Sequence, residues 1–460
     1  MQSNISKGEE SPGVAALPEG DRVPRWSLFM AFWGMTSAMI WLFIGQAAST
    51  AVGPMNAIVA MVLTVMTYGV ITAMLARRAI KTGETVSLFS NRVFGASGSA
   101  VAALLFGVTA LYFATFEGSL MSIALHQYFG GNIKIWYLVI ILVSVPLVAG
   151  GIQNWLDRLN GILLPFYVFG LIAIIIATTV KQGYPDGWLT SPAPADLPLP
   201  GWLMAYLMFM GTWVMMMYTF DFARHGRKED SKFHANITFG WVFYVVCFPI
   251  AGLCGIYLTS AWNQGNSQGA IISAILSALG GVGLFIFLVS QIRIQSANFF
   301  SASGNLERFV EQITGRATPR VLWVVLVGIG VYVFMLTDVV SYLNTALAWQ
   351  GVFITSWVII VVFWLIINGR KTEAELNGKV PGKVLSWPLA AWIISSVAGI
   401  ILVEQESSLK LSLLAPILTV ILTVILYVPF ALQRRSPSHG NRSGQNISES
   451  EDTSRESVTE

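Results

Sequence analysis

The sequence predicts an all-α polytopic membrane protein of twelve transmembrane helices, and three observations carry that prediction. Of its 460 residues 55% are hydrophobic and only 11% are charged, against roughly one quarter charged in soluble domains. The apolar stretches run for about 18–30 residues without two-residue alternation, the length and pattern of membrane helices rather than barrel strands. The positive charges fall in alternate loops between them. A soluble fold of this size could not hide so much apolar surface, whereas in lipid the backbone must be satisfied within helices or closed barrels.

Apolar runs place the spans at about 27–50, 54–76, 97–125, 133–151, 159–180, 200–222, 237–260, 270–302, 320–337, 340–368, 386–403 and 410–432. Arg77, Arg78 and Lys81 follow the second span, Arg158 the fourth, and Arg224, Arg227, Lys228 and Lys232 the sixth. Arg308, Arg316 and Arg320 follow the eighth, Arg370, Lys371, Lys379 and Lys383 the tenth, and Arg434 and Arg435 the twelfth. The opposite loops hold little positive charge beyond Lys181 and Lys410. The positive-inside rule then makes both termini cytoplasmic, which requires an even number of spans.

Residues 1–25 and 436–460 are rich in Ser, Glu, Gly and Asn and are expected to be disordered cytoplasmic tails. The polar leader, with Pro12, Pro18 and Pro24, does not read as a cleavable signal sequence. Asn446-Ile447-Ser448 matches a glycosylation acceptor, but a cytoplasmic tail does not meet that enzyme. Between the tails lie a first five-helix unit (26–180), an extracytoplasmic loop (181–199), a second five-helix unit (200–368) and two peripheral helices (369–435). Five is odd, so the two units insert with opposite topology, as inverted repeats do, with the first helix of each repeat interrupted near the midplane. Span one offers Gly34-Met35-Thr36-Ser37 and Gly45-Gln46, and span six Gly211-Thr212. From spacing alone these residues read equally as breaks or as small residues that let helices pack closely.

Several stretches resemble the nucleobase:cation symporter-1 family, the cytosine, purine and hydantoin permeases. They are Ser27-Leu28-Phe29-Met30 with Gly34-Met35-Thr36, then Lys81-Thr82-Gly83, then Asn91-Arg92-Val93-Phe94-Gly95. Further on come Pro192-Ala193-Pro194, Asp221-Phe222-Ala223-Arg224-His225-Gly226-Arg227, and Asn298 with Ala302-Ser303-Gly304. The Asp221–Arg227 run is the most specific of these. The resemblance implies a fold of leucine-transporter type, an inverted five-plus-five helix repeat plus two C-terminal helices. It also implies an importer working by alternating access on a small heteroaromatic ring such as a nucleobase.

The resemblance further implies that an aromatic from span three and one from span six sandwich the ring, while an asparagine from span eight takes its edge. Phe113 falls at the first position, with Tyr112 as rival, Trp213 at the second and Asn298 at the third; Gln295, nearly one turn back, shares the edge. Such a site suits a flat ring with apolar faces and polar edges, although any one aromatic in a chain that is 12% aromatic is more often packing.

Two charges lie deep in the spans, Glu117 in span three and Arg293 in span eight. Ionisable groups at that depth are functional candidates by default. Helical spacing puts Thr109, Phe113 and Glu117 on one stripe, and the plain structural alternative is a Glu117–Arg293 pair that pins the two helices. Sodium-dependent family members carry small hydroxyl residues five and six positions before the edge-binding asparagine. Those positions here hold Arg293 and Ile292, so the sequence departs from the family there. Arg293 is expected to replace the sodium ion, leaving coupling to a proton carried by Glu117 or to nothing. Glu117 beside aromatics also suits a cationic or protonatable substrate. Asp221 and Arg224, at the cytoplasmic end of span six, read more readily as ordinary flanking charges than as a gate.

The net charge of +3 and the lack of a basic domain argue against nucleic acid. His126, His225, His234 and His439 form no metal-binding spacing, and no Gly-x-Ser-x-Gly elbow or phosphate-cradling loop is present, so neither an enzyme nor a cofactor is expected. Cys247 and Cys254, seven apart in one span, lie two turns apart and cannot bridge. The expected partners are a small-molecule substrate, a proton and the lipid bilayer of the cell membrane, with the protein a monomer. The runner-up is an amino-acid or polyamine carrier of the same inverted-repeat fold.

Overall fold

Two membrane-length stretches are each broken into a pair of helices, and both breaks fall where small and hydroxyl residues interrupt the apolar run. The computed structural model describes residues 16–150, 156–263, 269–337, 342–369, 385–405 and 408–433. In chain order its helices are α1 (Arg25–Trp33), α2 (Ile40–Val52), α3 (Pro54–Thr82), α4 (Val86–Phe94), α5 (Ala96–Phe129), α6 (Ile133–Ala149), α7 (Leu156–Gln182) and α8 (Gly201–Met210). They continue as α9 (Met215–Ala223), α10 (Lys228–Ala261), α11 (Ala270–Thr314), α12 (Arg320–Met335), α13 (Leu343–Asn368), α14 (Trp387–Val403) and α15 (Leu409–Gln433).

α1 and α2 meet at 42° across a single 3-10 turn, Gly34–Ser37, and α8 and α9 meet at 44° across 211–214. The hydroxyls at the first break compete for the carbonyls that a continuous helix would use. Thr36 Oγ1 donates to Trp33 O (2.7 Å) and Ser37 Oγ to Gly34 O (2.7 Å). At the second break Gly211 lies so close to α13 that a Cβ there would fall 2.5 Å from the Leu347 carbonyl.

Among the described residues seven helices are long and apolar enough to cross a membrane, and the two bent pairs make two more. α6, α12 and α14 are apolar but only 17, 16 and 17 residues long. They reach about 25 Å, a little under the ~30 Å of hydrocarbon. The count of twelve rests on these three crossing as well. Large apolar side chains such as Met66, Phe169, Val180 and Ile425 are exposed on the outer surface, as lipid-facing residues are.

The centre of the bundle is the long pairing of α5 with α11, and α2 packs along α10. There a Cβ on Gly45 would lie 2.4 Å from Gly252 Cα, so the two helices touch backbone to backbone at glycines, as close-packed membrane helices do. Cys247 and Cys254 are both free thiols.

The structure departs from the sequence expectations at three places on the basic side. α11 runs on to Thr314, twelve residues past the expected end of span eight at 302, because its polar extension remains helical and carries Arg308 and Glu307 to their partners Asp221 and Arg320. The loop between α3 and α5 contains α4, too short to be read as a span, whose Phe89 stacks on Phe220 (4.8 Å between ring centroids). The N-terminal tail was expected to be disordered through residue 25, yet residues 16–24 are strapped to the bundle. Leu17 N–H donates to Gly83 O (2.9 Å), Val23 N–H to His225 O (3.0 Å), and Arg22 to the carbonyls of Ile80 and Gly226. Backbone pairing and a buried arginine outweigh the polar composition of the segment. Residues 1–15, the tail from 434 onward, and Arg370, Lys371, Lys379 and Lys383 lie outside the described residues.

Candidate functional site

The break in span one leaves the carbonyls at the end of α1 without helical partners, and such groups must be satisfied by other means. Besides Thr36 and Ser37, three side chains from elsewhere in the chain do so. Arg293 Nη2 donates to Trp33 O (3.4 Å), Trp41 Nε1 to Met35 O (2.8 Å) and the Tyr167 hydroxyl to Thr36 O (3.1 Å). A helix C-terminus carries partial negative charge, so the fully buried guanidinium of Arg293 (0% exposed) complements it. Across the break, the N-terminus of α2 has the opposite polarity. The carboxylate of Glu117 (1% exposed) accepts the backbone N–H of Ile40, the first residue of α2, and also Gln291 Nε2 (2.8 Å).

Glu117 and Arg293 therefore serve opposite ends of the same break, one through Ile40 and Gln291, the other through Trp33. The direct Glu117–Arg293 pair left open by the sequence is not the arrangement that forms.

Between the two breaks lies a small cavity. α5 contributes Phe113 and Glu117, span one Met35, Ala38 and Trp41, span six Thr212, Met215 and Tyr218, and α11 Ile294 and Asn298. The Tyr218 hydroxyl donates to Asn298 Oδ1 (2.8 Å), and its ring stands edge-on to Phe106 at 4.8 Å. Asn298 Nδ2 is buried with no hydrogen-bond partner.

Two broken helices that meet at a central cavity recur in solved transporters. The chain superposes on Mhp1, a nucleobase-cation-symport-1 family transporter, in a closed conformation with bromovinylhydantoin bound. The TM-score is 0.71, over 92% of this chain and 95% of that one, at 15% identity. The chain has the leucine-transporter-type fold. It is similar also to a Na⁺-coupled sialic acid symporter in a substrate-bound outward-open state (TM-score 0.60, 17% identity, 90% of this chain and 91% of that one). A third match is a manganese transporter of Eremococcus coleocola (TM-score 0.58, 13% identity, 93% and 99%). No family model and no curated protein sequence matches the chain.

Within this leucine-transporter-type fold, the residues expected from the sequence divide. Phe113, Glu117 and Asn298 line the cavity. Trp213 does not: its ring is 3% exposed and packs edge-on against Tyr68 at 6.3 Å, with its indole N–H unpartnered. Gln295 lies behind the cavity against Gly118, with both amide atoms unpartnered. Thr109, although on the predicted stripe, is buried outside the lining. Trp41 and Tyr218 form aromatic walls that the sequence reading did not single out, and Gln291, four residues before Gln295, is the partner of Glu117. The signal for Gln291 is the i, i+4 spacing to Gln295 on the face of α11 turned to α5.

Asp221, at the basic end of span six, joins three elements. Its Oδ1 accepts the Val86 N–H at the start of α4 (2.7 Å), and its Oδ2 lies 3.3 Å from Arg308 Nη1 on α11. Arg224 beside it is buried. Burial, together with the nearby Arg308, lowers its guanidinium to about 10, and Asp221 raises it.

Proposed function

We infer that this protein is a secondary transporter that imports a small heteroaromatic compound, a nucleobase or a related pyrimidine- or purine-like ring. It acts by alternating access, as a monomer in the cytoplasmic membrane with its basic side facing the cytoplasm. The observation that carries the reading is the cavity itself. It has aromatic walls from Trp41, Phe113 and Tyr218, edge groups from Asn298 and Glu117, and lies between two broken helices. Phe113 and Asn298 hold the ring; Trp213, packed on Tyr68, and Gln295, against Gly118, stand outside the lining.

Transport is independent of sodium in this reading. Arg293 occupies the carbonyl end of α1 with a fixed positive charge, and a cation there would meet electrostatic repulsion. Coupling then rests on a proton, with Glu117 as its carrier, or is absent. An amino-acid or polyamine carrier is the second reading. It draws on Glu117 but leaves the three aromatic walls without a role.

The test is the melting midpoint of the purified protein against nucleobases, hydantoin, allantoin, thiamine, hydroxymethylpyrimidine, amino acids and polyamines, in sodium and in potassium buffer. A ligand that binds the folded state alone raises the midpoint. Stabilisation by a heteroaromatic ring, equal in both salts, is the expected result. Stabilisation by aliphatic amines or amino acids alone would move the protein to the second reading.

A further inference from the structure

We propose that the substrate occupies this cavity as a cation and that the Glu117 carboxylate is its counter-charge. The inference rests on the heteroaromatic-transporter reading and narrows its substrate class. Glu117 is the acidic residue of the lining. It is almost wholly buried, and its partners, the Ile40 N–H and the Gln291 amide, are both neutral. An ionised carboxylate has about four acceptor positions, so two donors leave capacity toward the cavity. A buried carboxylate whose partners are all neutral remains uncompensated in charge, and a cation placed against it removes that deficit. Arg293 is not in the lining and is engaged at the end of α1, so it does not supply the missing charge.

The walls favour the same class. The faces of Trp41, Phe113 and Tyr218 carry the negative side of the ring quadrupole, and tryptophan in particular attracts cations. The remaining polar atoms specify the rest of the ligand. Asn298 Oδ1 is occupied by the Tyr218 hydroxyl, and the Thr212 hydroxyl donates to Phe209 O (2.9 Å). Asn298 Nδ2 is left as an unpartnered donor. The substrate is therefore a flat ring with a protonated N–H edge, of amidinium, aminopyrimidinium or pyridinium type, facing Glu117. It also carries an acceptor atom for Asn298.

The experiment measures binding of shape-matched ring pairs, benzamidine with benzamide and 4-aminopyridine (protonated at its ring nitrogen at neutral pH) with aniline, beside cytosine, hydantoin and spermidine. The full-length protein is used as wild type, Glu117→Gln and Glu117→Asp. The expected result is at least tenfold tighter binding of the cationic member to the wild type, a preference lost in Glu117→Gln and kept in Glu117→Asp. Equal or tighter binding of the neutral member overturns the inference, as does a preference unchanged in Glu117→Gln. If Glu117→Gln fails to fold, the pairwise preference of the wild type decides alone. Binding of neutral rings without cations removes the counter-charge and leaves the heteroaromatic reading intact. Glu117-dependent binding of spermidine with no ring bound does the reverse, and binding of none of these ligands overturns both.

Discussion

Arg293 places its guanidinium 3.4 Å from the carbonyl of Trp33, the last residue of α1. Glu117 accepts the N–H of the first residue of α2, so the break in span one has a buried ionisable group at each end, each at the helix terminus whose polarity favours its charged form. A broken helix in lipid exposes backbone groups that cannot be left unpaired, and here the compensation is built into two neighbouring helices.

The first prediction concerns Arg293. Replacing it by alanine removes a charge-assisted hydrogen bond from a buried carbonyl, at a cost of about 1.5–3 kcal/mol, measurable as a lower melting midpoint. Arg293→Lys should recover part of the loss. Sodium should leave the wild-type midpoint unchanged relative to potassium, and small cations, guanidinium included, should raise that of Arg293→Ala. A sodium-dependent wild type would sink the surrogate role.

The second prediction separates two tryptophans. Trp41 walls the cavity, whereas Trp213 packs against Tyr68. Trp41→Ala should weaken ligand binding about tenfold or more, the loss of an aromatic face and its stacking. Trp213→Ala should instead cost ~3–5 kcal/mol of stability, as large-to-small changes in packed cores do, with affinity changed little in the protein that remains folded. Titration of ligand binding beside thermal melts checks both; the opposite pattern would put Trp213 at the ligand.

Which parts of this site were legible in the sequence follows from where helical register holds. α5 is continuous through Phe113 and Glu117, so i, i+4 spacing put both on one face, and both line the cavity. Asn298 lies on α11 well past its kink at Gly280, where the helix is regular, and was legible for the same reason. Across 211–214 the register is interrupted, and the face of span six turned to the cavity presents Thr212, Met215 and Tyr218 instead of Trp213. Trp41 follows the other break and was hidden likewise. The breaks themselves were legible as one of two equal readings of Gly34–Ser37 and Gly211-Thr212, because small and hydroxyl residues in an apolar run either alter backbone bonding or let helices pack closely. α4 was not, since nine residues between two spans read as loop until Phe220 gives Phe89 a surface to pack on.

The third prediction treats Asp221 as a clasp on the basic side. Through Val86 and Arg308 it ties span six to α4 and α11, the elements that must separate if the cavity opens toward that side. Asp221→Asn weakens the link to Arg308 and should cost about 1 kcal/mol of stability, read as a lower melting midpoint. With Cys247 and Cys254 replaced by serine, a cysteine substituted for Ala38 in the cavity should react faster with a membrane-impermeant thiol reagent applied from the basic side. An unchanged labelling rate would mean that Asp221 is structural only.

The last prediction is a pH dependence centred on His225, in the turn after α9. Burial, and after it the charges of Arg224, Arg308 and Arg22, push its imidazole down to about 3. The folded protein therefore keeps His225 neutral above that pH, while the unfolded chain takes up a proton below ~6.5. Between these values the unfolded state binds more protons, so the contribution to stability is complete above pH 6.5 and is lost as pH falls toward 3. The link from Val23 uses the His225 backbone carbonyl, so His225→Asn keeps the strap while removing the titrating ring. From pH 7 to pH 5 the wild-type midpoint should fall more than that of His225→Asn, the comparison cancelling the carboxylates common to both. Parallel curves would show that His225 gains its proton without disturbing the fold, and that the arginines around it are screened by solvent.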